Sequence, residues 1–169
     1  MKRMVSVIVF LAMTGSLFAQ EGDHEMKITS AAFTHNQMIP EKYTCQGEDI
    51  NPPLKVEGVP PDTKSLLLVV DDPDAPFGTW VHWIVVNIVP ANAITIEENT
   101  IPGDEILNDF GKVGYGGPCP PSGTHRYFFK LYALDTSISL LPGATKEQIL
   151  KEMQGHILAQ GELMGTFSK

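Results

Sequence analysis

The sequence predicts a mainly β protein built as an antiparallel β-sandwich. Three long runs of β-branched, aromatic and aliphatic residues, at 65–72, 80–89 and 125–135, have the composition of strands. Segments rich in Gly and Pro separate these runs, and a single amphipathic helix comes late in the chain. Many strands with one helix favour a core of packed sheets over a helix bundle or an alternating α/β fold.

The first half of the chain predicts several strands. Residues 26–39 alternate apolar and polar side chains up to Pro40, as a half-buried strand does. Residues 54–57 form a short strand inside a loop dense in Gly, Pro, Asn and Asp. Residues 65–72 and 80–89 are continuous apolar runs, which are typical of strands buried on both faces.

The second half predicts a long loop, two strands and the helix. Residues 90–124 carry many Gly, Pro and Asp residues without periodicity, and a loop of that length in a compact domain is usually functional or disordered. Residues 125–135 and 156–168 form strands. Between them, Thr145 and Gln148 predict the capping box of a helix that ends at Gly155.

The N-terminal residues have the composition of an export signal. Lys2 and Arg3 precede an apolar run that is shorter than the roughly 20 residues of a membrane span, and small residues lie near Ala19. We therefore expect a signal peptide at 1–19, a flexible mature N-terminus at 20–26 and one domain at 27–169, in a periplasmic or secreted protein. An uncleaved membrane anchor is the alternative.

The formal net charge of −8 changes to −10 when Lys2 and Arg3 leave with the signal. Such a protein repels phosphate backbones, so no nucleic-acid partner is expected. In an exported chain, the even cysteine count predicts a disulfide between Cys45 and Cys119, with two buried free thiols as the alternative. No CxxC pair is present, so neither a zinc ribbon nor a thioredoxin-like redox site is expected. The DPDAP loop lacks the D-x-D-x-D-G spacing of a calcium site, and neither a metal nor a cofactor is predicted.

Candidate polar residues lie where strands meet the segment DPDAP. Pro73 and Pro76 stiffen this loop, which holds Asp72 and Asp74 in place. The short loop lets His82 on the next strand approach one of these carboxylates, which would fix its tautomer. The alternatives are aspartates that face water and a core histidine bonded to a backbone carbonyl.

The third long strand supplies further candidates. His125 and Tyr127 are two residues apart and therefore point to the same face. The preceding loop contains Gly116 and Gly117, whose backbone N–H groups can cradle an anion, although a turn without a ligand is the alternative. Ser122 lies in no nucleophile elbow and Cys119 is expected in a disulfide, so no catalytic residue is assigned and an enzyme is not expected.

These motifs resemble those of a known family. DPDAP, then W-x-H-W-x-x-x-N-I, then G-Y-x-G-P-C-P-P-x-G-x-H-R-Y-x-F are similar to the phosphatidylethanolamine-binding protein family, in its bacterial and archaeal Raf-kinase-inhibitor-like branch. The segment C-x-G-x-D-I-N-P-P-L, which begins at Cys45, also resembles that branch. The resemblance covers residues 27–168 and implies an antiparallel β-sandwich with short flanking helices and a small anion-binding cavity. It implies ligand-binding roles for Asp72, Asp74, Pro76, His82, Gly117, Pro118, Pro120, His125 and Tyr127.

The expected function is the binding of a small anion or a phosphorylated head group. In this hypothesis Asp72 orients His82, while His82, Tyr127 and N–H groups near Gly117 donate hydrogen bonds to the anion. An ammonium group of the ligand would face Asp74. The alternative is a protein-inhibitor or interaction module that engages a kinase, a protease or another protein partner through the pocket rim. The sequence is also compatible with a homodimer.

Overall fold

The structure, a computed structural model, describes residues 26–139 and 144–169. Two antiparallel sheets make up most of it. The strands are β1 (Lys27–Thr29), β2 (Leu54–Glu57), β3 (Ser65–Asp72), β4 (Trp80–Ile88), β5 (Ala93–Ile96), β6 (Asp104–Glu105), β7 (Thr124–Leu134) and β8 (Ile157–Ser168). The helix α1 spans Lys146–Glu152, and a single 3₁₀ turn spans Glu41–Tyr43. The predicted signal peptide lies outside the described residues.

The larger sheet is buried on both faces. Its strand order is β6-β4-β3-β7-β8, and the smaller sheet has the order β1-β2-β5. One apolar cluster lies between the two sheets, and a second lies between the larger sheet and α1. All eight residues of β3 are therefore buried, as its unbroken apolar sequence predicts.

Most predicted elements are confirmed, including the capping box of α1. The Thr145 side chain accepts from the Gln148 backbone N–H, and the Gln148 side chain accepts from the Thr145 backbone N–H. The strand predicted at 26–39 is wrong beyond Thr29. Residues 36–39 instead form hydrogen bonds with Met164 and Thr166 along the free edge of β8.

Two further expectations are corrected. The 90–124 segment contains β5 and β6, which at four and two residues are too short to show a strand period. Met26, assigned to the flexible N-terminus, is 2% exposed and packs in the cluster between the sheets. Among the described residues, no helix is long and apolar enough to span a membrane.

Strand β4 departs from strict alternation at the point that matters for the site. Val70 of β3 pairs with Trp83, but Asp71 pairs with Val81, so His82 is an extra residue on β4. A bulge of this kind rotates the strand and re-aims side chains. As a result Val81 and Ile84 pack in the cluster beside α1, although alternation predicts opposite faces for them.

Candidate functional site

The ends of three neighbouring inner strands, β3, β4 and β7, bring the predicted polar residues together at one end of the larger sheet. Asp72 ends β3 and pairs with Trp80 at the start of β4, while Asp71 pairs with Phe128 near the start of β7. His125 and Tyr127 of β7 therefore come level with Asp72. The structure buries four of the predicted site residues here, with exposed fractions of 4% for Asp72, 3% for His82, 8% for His125 and 0% for Tyr127.

Asp72 orients His125 rather than His82, which corrects the predicted pairing. The Nδ1 atom of His125 lies 2.7 Å from Oδ2 of Asp72. The other carboxylate oxygen, Oδ1, accepts the backbone N–H of Asp74 at 2.8 Å. Both Asp72 oxygens thus have protein donors, which lets a carboxylate remain in a buried position.

A backbone carbonyl orients His82, which was the alternative left open by the sequence. Its Nδ1 lies 2.7 Å from the carbonyl oxygen of Gly116. Because a carbonyl can only accept, Nδ1 carries the proton, and Nε2 is left as the free ring nitrogen. Burial lowers the pKa of His82 below its usual 6.5, against the weaker opposing effect of the Gly116 carbonyl and the Asp72 charge.

The Tyr127 hydroxyl is the unsatisfied group of the site. The ring of Tyr127 meets that of His82 edge-on, with centroids 5.3 Å apart. Its Oη is buried and has no hydrogen-bond partner among the described residues. Burial, the Asp72 charge and the closeness of the Asp72 carboxylate to Oη raise the pKa of Tyr127 above 10, against a smaller opposing effect of the Cys119 backbone, so the group stays a neutral O–H donor. No contact of Oη with the described residues meets hydrogen-bond geometry, so Asp72 is a neighbour of the hydroxyl and not its acceptor.

An aromatic side chain covers His82 from the outside. The Phe110 ring contacts His82 and Trp80 with centroid separations of 5.1 and 5.5 Å, and Phe110 is 43% exposed. Trp80 also has a buried Nε1–H without a partner among the described residues. Two buried donors, Trp80 Nε1–H and Tyr127 Oη–H, therefore lack acceptors among the residues that the structure describes.

The glycine loop does not offer the amides that the sequence suggested. The Gly116 N–H donates to the carbonyl of His82 at 3.1 Å, and the Gly117 N–H donates to Oδ1 of Asp49 at 2.6 Å. The predicted anion cradle formed by these two N–H groups is therefore wrong. Pro118 and Pro120 are buried beside the loop, but proline has no N–H to donate.

The predicted disulfide is present and braces this loop. Cys45 and Cys119 are bonded with their Cα atoms 5.4 Å apart. The Cys45 N–H also donates to the carbonyl of Pro118 at 3.2 Å. These contacts hold the glycine loop against the segment that follows the 3₁₀ turn.

Asp74 lies at the rim and is already paired. It accepts two hydrogen bonds from the Arg126 guanidinium, at 2.7 and 2.9 Å, and one from the Arg126 backbone N–H at 3.0 Å. The Arg126 guanidinium lowers the pKa of Asp74 to about 2. A ligand ammonium would have to compete with Arg126 for this carboxylate. Pro76 is exposed on the same loop.

Two cavities lie apart from the polar cluster of Asp72, His82, His125 and Tyr127. One of about 280 Å³ lies near the glycine loop and is lined by Asp49, Trp83, Glu105 and Tyr115, among others. Another of about 460 Å³ lies between residues 105–113 and the start of α1. Asp72, His82 and Tyr127 line neither of these two cavities.

Comparison with known proteins identifies the fold family. The family model described as phosphatidylethanolamine-binding protein matches residues 29–168. The chain belongs to this family. The resemblance of the three motifs to it is thereby confirmed, and so is the mainly β fold.

Family relatives cover nearly the whole chain. A UPF0098 protein of Pyrococcus abyssi is 44% identical, over 100% of this chain and 99% of the relative. The crystal structure of a phosphatidylethanolamine-binding protein homolog from Chlamydia trachomatis is 47% identical, with a TM-score of 0.81, over 86% of this chain and 99% of that one. Escherichia coli YbcL, described as a member of the mammalian family, is 29% identical with a TM-score of 0.76 and the same coverage.

Two residues that contact the polar cluster or its glycine loop could not be predicted from the sequence. Phe110 lies in a segment without periodicity, and nothing in its sequence context indicated that it covers His82. Asp49 belongs to the segment C-x-G-x-D, which carried the family resemblance, but its contact with the Gly117 N–H follows only from the fold. Among residues 26–139 and 144–169, no group of His, Cys, Asp and Glu forms a metal site.

Proposed function

We propose that this family member is an exported protein that binds the phosphate group of a small phosphate ester or phospholipid head group at His82 and Tyr127. The binding role is not catalytic, since the cluster holds no activated nucleophile. The family fold supports ligand binding in general, and the chemistry of the buried cluster supports an anionic oxygen as the group bound.

The observation that carries the proposal is the unpartnered Tyr127 hydroxyl. A buried donor without an acceptor costs about 1–3 kcal/mol. Its hydrogen needs an acceptor, and the raised pKa keeps that hydrogen in place. A phosphate oxygen beside Tyr127 would accept from it and would also reach the free Nε2 of the adjacent His82.

The state of His82 determines which phosphates bind. When His82 is neutral, Nε2 accepts, so the ligand must supply a proton, as a phosphomonoester does near its second pKa of about 6. When His82 is protonated, Nε2 donates and a phosphodiester can bind. Because burial lowers the pKa of His82, phosphodiester affinity should rise as the pH falls from 8 to 6.

Isothermal titration calorimetry with glycerophosphoethanolamine and with inorganic phosphate, at pH 6 and pH 8, tests this function. We expect tighter binding at pH 6, with the steeper pH dependence for the phosphodiester. Tyr127→Phe should weaken both ligands by about tenfold or more, since a hydrogen bond to a charged group contributes about 1.5–3 kcal/mol. The matched control Tyr132→Phe changes a tyrosine on the opposite face of β7 and should bind like the wild type.

Binding that is absent in the wild type, or unchanged in Tyr127→Phe, would refute the proposed site. Equal phosphodiester affinity at the two pH values would remove the role of His82. Export is tested separately. Mass spectrometry of the protein from its own cell envelope should show a chain that begins at Gln20, whereas a retained leader would contradict a cleaved signal.

An interaction module remains the second candidate, since the rim exposes apolar side chains. Phe77 follows the DPDAP loop and is 98% exposed, and Phe110 is partly exposed beside the site. A protein partner that covers this rim would depend on Phe77 and not on Tyr127. Phe77→Ala should then abolish partner binding, while Tyr127→Phe should leave it intact.

A further inference from the structure

We infer that Asp49 is a positioning residue for His82 and acts on it through a single peptide group. The peptide that joins Gly116 to Gly117 has its C=O on His82 Nδ1, at 2.7 Å, and its N–H on Asp49 Oδ1, at 2.6 Å. Carboxylate, peptide and imidazole thus form one hydrogen-bonded chain. The inference rests on the proposed binding role of His82 and concerns the regulation of that same site.

The charge of Asp49 acts on His82 through this series of hydrogen bonds. A negative charge at the N–H end polarises the peptide and makes its carbonyl oxygen a stronger acceptor, because hydrogen bonds in series reinforce one another. The stronger acceptor holds the proton on Nδ1 and leaves Nε2 free for the ligand. It also favours the protonated ring, so Asp49 partly offsets the effect of burial on His82.

Steric contacts allow little freedom in this arrangement. A Cβ at Gly117 would lie 2.6 Å from the Tyr43 carbonyl oxygen, 2.7 Å from Asp49 Oδ1 and 2.8 Å from the Thr44 Cα. Only glycine therefore lets the peptide lie against Asp49. Asp49 itself has a φ of 57°, a conformation that aspartate and asparagine tolerate better than other side chains.

Contacts around this series of hydrogen bonds hold the Asp49 segment against the glycine loop. The Cys45–Cys119 bond and the hydrogen bond from Tyr115 Oη to the Tyr43 carbonyl, at 3.0 Å, join the same two segments. Lys112 Nζ lies 3.6 Å from Asp49 Oδ2 and opposes part of its charge. Asp49, the last residue of the motif C-x-G-x-D, therefore helps to position His82, although the two residues are far apart in the sequence.

Other charged groups also act on His82 and must be kept constant in a test. Asp71 and Asp72 of β3 stabilise the protonated ring, and Asp72 is itself bonded to His125. Tyr127 of β7 contacts the ring and stays neutral, and Phe110 carries no charge. Substitution of Asp49 leaves all of these groups in place.

The decisive experiment is nuclear magnetic resonance of ¹⁵N-histidine-labelled protein without ligand, titrated from pH 8 to pH 5. Asp49→Asn keeps an oxygen that can accept from the Gly117 N–H but removes the charge, and it should lower the pKa of His82. The matched control Glu48→Gln removes the same charge one residue away, from an exposed side chain, and should leave His82 titrating as in the wild type.

A His82 titration that is the same in Asp49→Asn and in the wild type would overturn the inference. If Asp49→Asn does not fold, the wild type alone decides, since the Gly117 amide resonance should move with the His82 midpoint. An amide that stays still would also refute the connection. These readouts need no ligand, so they remain decisive if phosphate esters fail to bind. If they do bind, Asp49→Asn should weaken phosphodiester binding by about tenfold, as outer partners of binding histidines do.

Discussion

At the scale of single residues, Tyr127 couples stability to function. Its hydroxyl is buried and has no hydrogen-bond partner among the described residues, so its removal should relieve a cost instead of creating one. We expect Tyr127→Phe to raise the free energy of unfolding by about 1 kcal/mol while it weakens phosphate binding. Urea unfolding without ligand measures the first effect.

Tyr115→Phe provides the opposite case in the same fold. The Tyr115 hydroxyl donates to the Tyr43 carbonyl at 3.0 Å, so this variant loses a satisfied hydrogen bond. Its free energy of unfolding should fall by about 1 kcal/mol. If Tyr127→Phe lowered the free energy of unfolding as much as Tyr115→Phe, the Tyr127 hydroxyl would have a hydrogen-bond partner inside the protein.

His82 gives the stability of the protein a specific pH dependence. Its folded-state pKa is lower than that of the unfolded chain, because burial disfavours the charged ring. The unfolded chain therefore binds the proton first, and the protein loses stability as the pH falls below about 6.5 through the folded pKa. In His82→Asn the amide can still donate to the Gly116 carbonyl, but no imidazole titrates. The part of the loss in unfolding free energy between pH 7.5 and pH 5 that comes from His82 should therefore be absent in this variant.

At the scale of elements, the strands were largely predictable and the bulge was not. Continuous apolar runs predicted β3, β4 and β7, and alternation placed His125 and Tyr127 together on the inner face of β7. The same alternation failed on β4, because the extra residue at His82 arises from pairing with β3 and leaves no trace in composition. Partners such as Gly116 and Asp49 follow from contacts between loops, which no local pattern encodes.

The disulfide stabilises the loops behind the site. Cys45 and Cys119 are 74 residues apart, so the bond excludes many extended conformations of the unfolded chain. Cys45→Ala/Cys119→Ala should lower the free energy of unfolding by about 4–5 kcal/mol in the chain-entropy account. Urea denaturation of the double variant measures this loss. A loss below about 1 kcal/mol would show that the loops hold together without the bond.

The DPDAP loop is held to β7 by the contact between Asp74 and Arg126. Arg126 keeps the pKa of Asp74 at about 2, against an ordinary value of 3.8. The contact therefore stabilises the fold fully above pH 3.8, and its contribution is lost as the pH falls through 2. Asp74→Asn should be less stable than the wild type at pH 7 and should approach it in acid. Asp62→Asn, at an exposed position, serves as the control. If the difference in unfolding free energy between Asp74→Asn and the wild type were as large at pH 2 as at pH 7, this account would be contradicted.

At the scale of the whole molecule, the sandwich buries the larger sheet on both faces and places the polar cluster at the ends of its inner strands. Native mass spectrometry of the protein purified from its own envelope tests the proposed role at this scale. We expect a bound mass that includes a phosphate group, together with the two-dalton loss of the disulfide. The Tyr127→Phe protein, prepared in the same way, should carry less of that mass.

The segment at residues 36–39 also has a consequence for the solution behaviour of the protein. Strand β8 is twelve residues long and pairs with β7 on one side only. A free edge of that length is a template on which a second chain can add its own strand and begin a cross-β stack. The hydrogen bonds of Asn36, Gln37 and Ile39 occupy part of this edge. Proteolytic removal of the chain before Pro40 would therefore leave the outer edge of β8 open to pairing with a second chain.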